Sequence, residues 1–185
     1  MTPEDNFEYW YDQGIEFHDL EKYEDALTCF EKAIELSSNN NDLSDAWTEK
    51  GFVKEKLKDF DSAIFCQTKA IEFNPKNADA WYMKGVLFGN QKKYVDEIIC
   101  YQKALDINPN DLQVLDNMGT TLCNLGDFKN AITYLDRSIS IDPNQCHPWQ
   151  IKAIALKELG LSDEAEYCNH MAKKLGCSDM EFLKF

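Results

Sequence analysis

The chain has 185 residues, of which 44% are hydrophobic, and this is enough apolar material for a substantial core. Its formal net charge of −14 opposes attraction to nucleic-acid phosphates and to an anionic membrane surface, so we expect neither as a partner. No segment approaches the roughly 20 apolar residues of a membrane-spanning helix, and the N-terminal segment MTPEDNFEYW lacks the apolar region of a signal peptide.

A repeat runs along the chain, and its first half is a helix. A large apolar residue recurs at intervals of 37, 34, 34 and 34 residues, at Trp10, Trp47, Trp81, Leu115 and Trp149. A small residue follows each of them four positions later, at Gly14, Gly51, Gly85, Gly119 and Ala153. Because four residues make about one helical turn, both positions share a face, and the small residue allows a second backbone to come close.

The second half of the repeat is another helix. A second small position follows, at Ala26, Ala63, Ala131 and Ala165, with Glu97 as the exception. Gly126 and Gly160 can take the left-handed conformation that ends a helix, and Pro75, Pro109 and Pro143 end the second helices. The apolar spacing predicts helix pairs at 5–19/22–36, 43–57/60–73, 78–91/94–107, 112–125/128–141 and 146–159/162–175.

Two segments depart from this pattern. Residues 37–45, SSNNNDLSD, replace the proline junction and add three residues, so we expect a looser joint there. After the last pair, Gly176 can cap its helix, and Ser178 to Glu181 form a capping box that opens a final short helix. We expect Met180, Phe182 and Leu183 to cover the end of the array, and the alternative is that this tail docks on a second copy.

The pattern W-x-x-[KM]-G followed by A-x-x-x-[FYL], A and P resembles the tetratricopeptide repeat (TPR) over about residues 7–176. The Lys50-Gly51 and Lys84-Gly85 pairs look most like stand-alone prokaryotic and archaeal members. The resemblance implies an all-α fold, a right-handed α-α superhelix (solenoid) of five helix-turn-helix units and a C-terminal capping helix, as a single domain, 1–185. It also implies that first helices line a concave groove and second helices form the convex back. The units span about 7–40, 44–77, 78–111, 112–145 and 146–176, with the cap at 178–185.

The sequence contains no common phosphate, dinucleotide, zinc-protease or serine-nucleophile motif, so we expect no enzyme and no cofactor or metal. Seven cysteines without a CxxC pair favour the reducing cytoplasm and predict no structural disulfide. Four of them, Cys29, Cys66, Cys100 and Cys168, occupy one repeated position, which indicates packing as small apolar groups.

Glu97 stands where the other repeats place alanine, at the close contact of paired helices. An unpaired buried carboxylate is costly there. We therefore expect Glu97 to reach a lysine, Lys84 or Lys54, or to turn its carboxylate to solvent.

The TPR resemblance assigns a set of first-helix residues to the concave groove. These are Tyr11, Asp12, Ile15, Glu49, Phe52, Tyr82, Met83, Val86 and Asn117. Aromatic anchors bordered by carboxylates are typical of recognition surfaces for a segment with apolar and basic residues. The alternative interpretation is that neighbouring turns bury some of these side chains.

These features favour a scaffold or adaptor that binds a protein or peptide in the groove, as a monomer or weak homodimer. The alternative function is a regulatory or assembly subunit that binds a folded partner, or itself, through the convex face or the C-terminal end.

Overall fold

The computed structural model describes residues 6–177, and within them the chain forms ten α-helices and no strand. The helices are α1 (Phe7–Asp19), α2 (Tyr23–Leu36), α3 (Asn40–Lys56), α4 (Phe60–Phe73), α5 (Ala78–Asn90), α6 (Tyr94–Ile107), α7 (Leu112–Asn124), α8 (Phe128–Ile141), α9 (Cys146–Glu158) and α10 (Ser162–Lys174). The predicted helix pairs are confirmed, and the largest difference in a boundary is at the start of α3. Within residues 6–177, none of the helices has the length and apolar character of a membrane span.

The helices fall into two compact units, with the division between Gln91 and Lys92. Unit 1 contains α1 to α5, and unit 2 contains α6 to α10. The division lies inside the third predicted repeat, 78–111. The organisation as one domain, 1–185, stays a prediction.

Each repeat turns from its first to its second helix through one residue with positive φ. Gly126 (φ 78°) and Gly160 (φ 77°) take this conformation as predicted, and Gly176 (φ 93°) follows α10. Glu21, Lys58 and Lys92 occupy the same turn in the other repeats, with φ of 57°, 60° and 57°. The turn geometry therefore belongs to the repeat, although a side chain with a Cβ is strained there.

The expected loose joint at residues 37–45 is wrong for most of its length, because α3 already begins at Asn40. The Asn39 side chain accepts a hydrogen bond from the Asn41 backbone N–H at 2.8 Å and caps this longer helix. Asp42 accepts a further hydrogen bond from the Ser37 hydroxyl at 3.1 Å. The extra residues thus form an additional N-terminal turn of helix.

The glycines of the first helices allow the close approach that the sequence predicts. A Cβ built on Gly14 would lie 2.5 Å from the ring of Phe30, and one built on Gly119 would lie 2.6 Å from Leu135. Phe30 and Leu135 are fully buried. The predicted packing of first against second helices is confirmed at these positions.

The predicted packing role of four cysteines is confirmed, because Cys29, Cys66, Cys100 and Cys168 are all buried free thiols. The expected absence of a disulfide is wrong. Cys146, at the start of α9, and Cys177, after α10, are joined by a disulfide with their Cα atoms 5.7 Å apart. Neither cysteine lies at the repeated position, so the repeat gave no sign of this pair.

Glu97 on α6 is buried, with 7% of its surface exposed, and the expected lysine partner or exposed carboxylate is wrong. Its carboxyl group forms hydrogen bonds with Thr121 of α7 and Tyr101 of its own helix. These neutral hydroxyl partners avoid the unpaired burial that made Glu97 conspicuous in the sequence. The predicted cap at 178–185 lies outside the described residues.

Candidate functional site

Unit 1 carries most of the predicted groove residues, on α1, α3 and α5. On α1, Tyr11 and Ile15 are half-buried and pack against a core cluster that includes Phe30 and Val53. The ring of Tyr11 lies 6.0 Å from that of Phe30, edge to face, and stacks on that of Phe7 at 5.4 Å. These contacts fix the position of Tyr11 while part of its surface stays accessible.

The apolar part continues on α3 and α5. Phe52 and Val86 are half-buried and pack against the cluster of Ala63, Met83 and Leu87. Met83 is only 8% exposed, so its side chain belongs to the core of unit 1 and offers little contact surface. Tyr82 is half-buried on α5.

Glu49 of α3 is the electrostatic centre of this region. Burial, together with the negative charges of Asp45, Asp79 and Asp19, raises the pKa of Glu49 to about 7. Burial favours the neutral form of a carboxyl group, and nearby like charges act in the same direction. Glu49 is therefore poised to gain or lose a proton near neutral pH.

The pKa of Tyr11 reports the same negative field. Burial and the charges of Glu49, Asp45 and Asp12 raise it to about 12. Burial likewise raises the pKa of Asp45, with help from Asp42 and Asp79. We define the acidic face of unit 1 as Asp12, Asp45, Glu49 and Asp79. Among residues 6–177, no ion pair joins any of these four to a lysine or an arginine.

A polar clasp, formed by Ser44, Thr48 and Asn77, lies under this part of unit 1. The amide of Asn77 donates hydrogen bonds to Ser44 Oγ at 2.9 Å and to Thr48 Oγ1 at 3.0 Å. Its side-chain oxygen caps α5 by accepting from the Ala80 backbone N–H at 2.9 Å. The clasp thus ties the start of α5 to α3. Sequence reasoning missed it, although the Asn before each new first helix was a signal.

Asn117 belongs to α7 in unit 2 and is half-buried. Its backbone carbonyl accepts a hydrogen bond from the Thr121 hydroxyl at 2.8 Å. The structure thus brings Tyr11, Asp12 and Glu49 together within unit 1. Asn117 lies in unit 2. In the described part of the chain, no three His, Cys, Asp or Glu side chains gather in a way that could hold a metal ion.

Family models of the tetratricopeptide repeat match residues 7–40, 44–77, 66–98 and 100–133, which together are more than half of the chain. The chain belongs to the tetratricopeptide repeat family. No curated protein sequence matches the chain.

Solved structures show the same fold. The TPR chain is similar to the crystal structure of MamA, with a TM-score of 0.82 and 20% identity over 95% of this chain and 93% of that one. It is also similar to YrrB, described as a TPR protein with an unusual peptide-binding site, with a TM-score of 0.79 and 19% identity over 93% of this chain and 87% of that one. The predicted fold class, an all-α array of TPR units, is confirmed. Membership of this family supports a protein-interaction scaffold as the general function of the chain.

Proposed function

We propose that the first-helix face of unit 1 binds an extended or helical segment of a partner protein that carries apolar anchors and at least one basic residue. The observation that carries this proposal is the acidic face, whose four carboxylates have no ion pair to a lysine or arginine among residues 6–177. A Lys or Arg of the partner would compensate this charge. YrrB, which shares the fold, is described as having a peptide-binding site, and this supports a peptide as ligand.

The proposed site assigns different roles to its residues. Tyr11, Ile15, Phe52, Tyr82 and Val86 supply accessible apolar surface, since each is half-buried rather than enclosed. Asp12 and Glu49 supply charge. Met83 supports Phe52 and Val86 from the core of unit 1. Asn117, on α7 of unit 2, stays a sequence-based prediction and is not part of this site. Burying aromatic anchors contributes most of the binding energy, whereas exposed carboxylates mainly speed association.

Selection from a random peptide display library on the purified protein tests this function. We expect enriched peptides that combine aromatic or aliphatic residues with Lys or Arg. Phe52→Ala and Tyr82→Ala should each weaken a selected peptide by about 1–2 kcal/mol, and binding should weaken with salt. Phe65→Ala is the matched control, because Phe65 is a 54% exposed aromatic residue of the second helix α4. An equal loss of peptide affinity in the control and in the two site variants would refute binding at the first-helix face of unit 1.

A regulatory or assembly role through the second helices is the alternative. Phe65 in unit 1, and Val95, Ile99 and Tyr167 in unit 2, are exposed by 53–65% of their surface. Exposed apolar groups of this size are candidates for contact with a folded partner or a second copy. Under this alternative, Ile99→Asp would abolish association while Phe52→Ala leaves it intact. Sedimentation of the parent protein over a range of concentrations tests the expected monomer or weak homodimer.

We propose that the protein is not an enzyme and that it acts in the cytoplasm. A cytoplasmic location is supported by the buried free thiols of Cys29, Cys66, Cys100, Cys123 and Cys168. The Cys146–Cys177 disulfide favours an oxidising compartment instead. Alkylation of thiols in intact cells, followed by mass spectrometry, decides between the cytoplasm and an oxidising compartment. Alkylated Cys146 and Cys177 would support the cytoplasm, and an intact disulfide would contradict it.

A further inference from the structure

Glu97 is a buried carboxyl group in a position built for a methyl group. The equivalent residues Ala26, Ala63, Ala131 and Ala165 are all buried, and Glu97 itself is only 7% exposed. An isolated carboxylate in such a place is strongly disfavoured, so the group either finds a counter-charge or becomes neutral. The hydrogen bonds around it distinguish these two solutions.

No positive charge stabilises an ionised Glu97. Burial is the main influence on this group and raises its pKa, while hydrogen bonds to Thr121 and Tyr101 oppose the rise. The helix α7, which packs against α6 within unit 2, carries the titratable side chains Asp116 and Cys123, and neither contributes to the shift. The titratable neighbour on α6 is Tyr101 itself, which is 1% exposed.

The proton count at Thr121 favours a neutral Glu97. The Thr121 hydroxyl donates to the Asn117 carbonyl at 2.8 Å, and a carbonyl can only accept. A threonine has one hydroxyl proton, so Thr121 can donate either to the Asn117 carbonyl or to an ionised Glu97, and not to both. Where it donates to Asn117, its hydrogen bond with Glu97 requires a proton on the carboxyl group. Tyr101 forms a second hydrogen bond with the carboxyl group of Glu97.

From this arrangement we propose that Glu97 is a neutral carboxylic acid in the folded protein and forms a pH-sensitive contact between α6 and α7 of unit 2. The hydrogen bonds run from Tyr101 through Glu97 and Thr121 to the carbonyl of Asn117. Ionisation removes the proton between Glu97 and Thr121. Thr121 must then give up Asn117 to serve the carboxylate, and a charge remains buried against α7.

The direction of the pH dependence follows. The folded pKa lies above the ordinary value of 4.5, so the folded protein binds more protons than the unfolded chain in the interval between them. The stabilising contribution of neutral Glu97 is complete below the unfolded pKa. It is lost as pH rises towards and through the folded pKa.

Two measurements on the full chain test this contact. Carbon-13 NMR of the glutamate carboxyl groups, with the Glu97 signal assigned by comparison with Glu97→Gln, should show titration above the ordinary range. Chemical unfolding at about pH 3.5 and pH 8 should show that the ratio of unfolding constants, parent over Glu97→Gln, rises about tenfold for each unit by which the folded pKa exceeds the unfolded one. Taking the ratio removes the contributions of other carboxyl groups that titrate in both proteins.

Glu166→Gln is the matched control, since Glu166 is exposed on α10 of the same unit. The ratio of unfolding constants, parent over Glu166→Gln, should stay constant between the two pH values. A Glu97 signal that titrates at the ordinary glutamate pKa, or a constant ratio for Glu97→Gln, would overturn the proposal. If Glu97→Gln does not fold, assignment through selective glutamate labelling of the parent still gives the pKa and decides the question.

Discussion

Units 1 and 2 solve the same packing problem with different side chains. In unit 1, buried Gly51 faces Gln67, and in unit 2, buried Gly119 faces Leu135. Both facing side chains are fully buried. Gln67 donates its amide proton to the Thr48 carbonyl at 3.1 Å, but its own oxygen Oε1 is buried without a partner. The repeat therefore fixes the volume at this position and leaves its polarity free, and unit 1 bears the cost of an unpaired oxygen.

The largest effect on stability should come from truncating the apolar side chain that faces the glycine in unit 2. Leu135→Ala removes a fully buried side chain against Gly119 and leaves a cavity, so we expect the free energy of unfolding to fall by about 3 kcal/mol. Denaturant unfolding measures it. Leu125→Ala is the control, because Leu125 of unit 2 is 45% exposed and should cost under about 0.5 kcal/mol. Similar small losses in both variants would show that this contact does not hold unit 2 together.

The second prediction gives unit 1 the apolar side chain that unit 2 has at the position facing the glycine. Gln67→Leu keeps the buried volume and removes the unpaired oxygen, so we expect the free energy of unfolding to rise by about 1 kcal/mol. The hydrogen bond to the Thr48 carbonyl is lost, and its net value is of similar size or smaller. Gln67→Ala, which also removes the amide but leaves a cavity, should be destabilising. A loss of stability in Gln67→Leu would mean that the amide is required at this position.

The contacts that follow from the repeat were predictable from the sequence. Gly14, Gly51 and Gly119 recur one turn after a large apolar residue, and only the absence of a Cβ allows the helices to approach as they do. The turns at Gly126 and Gly160 were predictable because a positive φ favours glycine, although three of the five turns carry another residue there.

The parts that depend on individual partners were not predictable. Asn77 and Thr48 are 29 residues apart, and only the packing of α5 on α3 brings them into hydrogen-bonding distance. Glu97 is exceptional in the sequence, but its hydroxyl partner Thr121 lies on another helix, and no opposite charge in the sequence marks the pair. The predicted groove stays a hypothesis for a similar reason, since a side chain's exposure depends on its neighbours rather than on its position in the repeat.

The third prediction compares the residue with positive φ in the turn between first and second helices, which is Lys58 in unit 1 and Gly126 in unit 2. Gly126→Ala places a Cβ on a residue with φ of 78°, so we expect a loss of about 1 kcal/mol. Lys58→Gly relieves the same strain at φ of 60°, and we expect a gain of about 0.5 kcal/mol or more. Thermal unfolding of both variants measures these changes. Both variants changing stability in the same direction would contradict a shared left-handed turn.

The last prediction concerns Glu49, whose pKa is raised by neighbouring acids, unlike the pKa values of Glu97 and Asp116 in unit 2. Its folded pKa of about 7 exceeds the ordinary value of 4.5, so the folded protein holds more protons between these values. The contribution of Glu49 to the free energy of unfolding should therefore be greatest below pH 4.5 and decline as the pH rises through about 7. Glu49→Gln should remove this decline, and we expect a difference on the order of 1 kcal/mol, because solvent screens a half-buried group.

The same titration separates an intrinsic property of unit 1 from partner binding. Ionised Glu49 attracts a basic residue and neutral Glu49 does not, so a peptide selected on the parent should bind more tightly at pH 8 than at pH 6. Glu49→Gln should weaken this pH dependence, whereas Glu72→Gln, an exposed change on α4, should preserve it. If parent and Glu49→Gln show the same pH dependence of binding, then the partner's charge is recognised elsewhere. Asp12, Asp45 and Asp79 would remain to be tested singly, because a bound cation would lower the pKa of whichever carboxyl group it contacts.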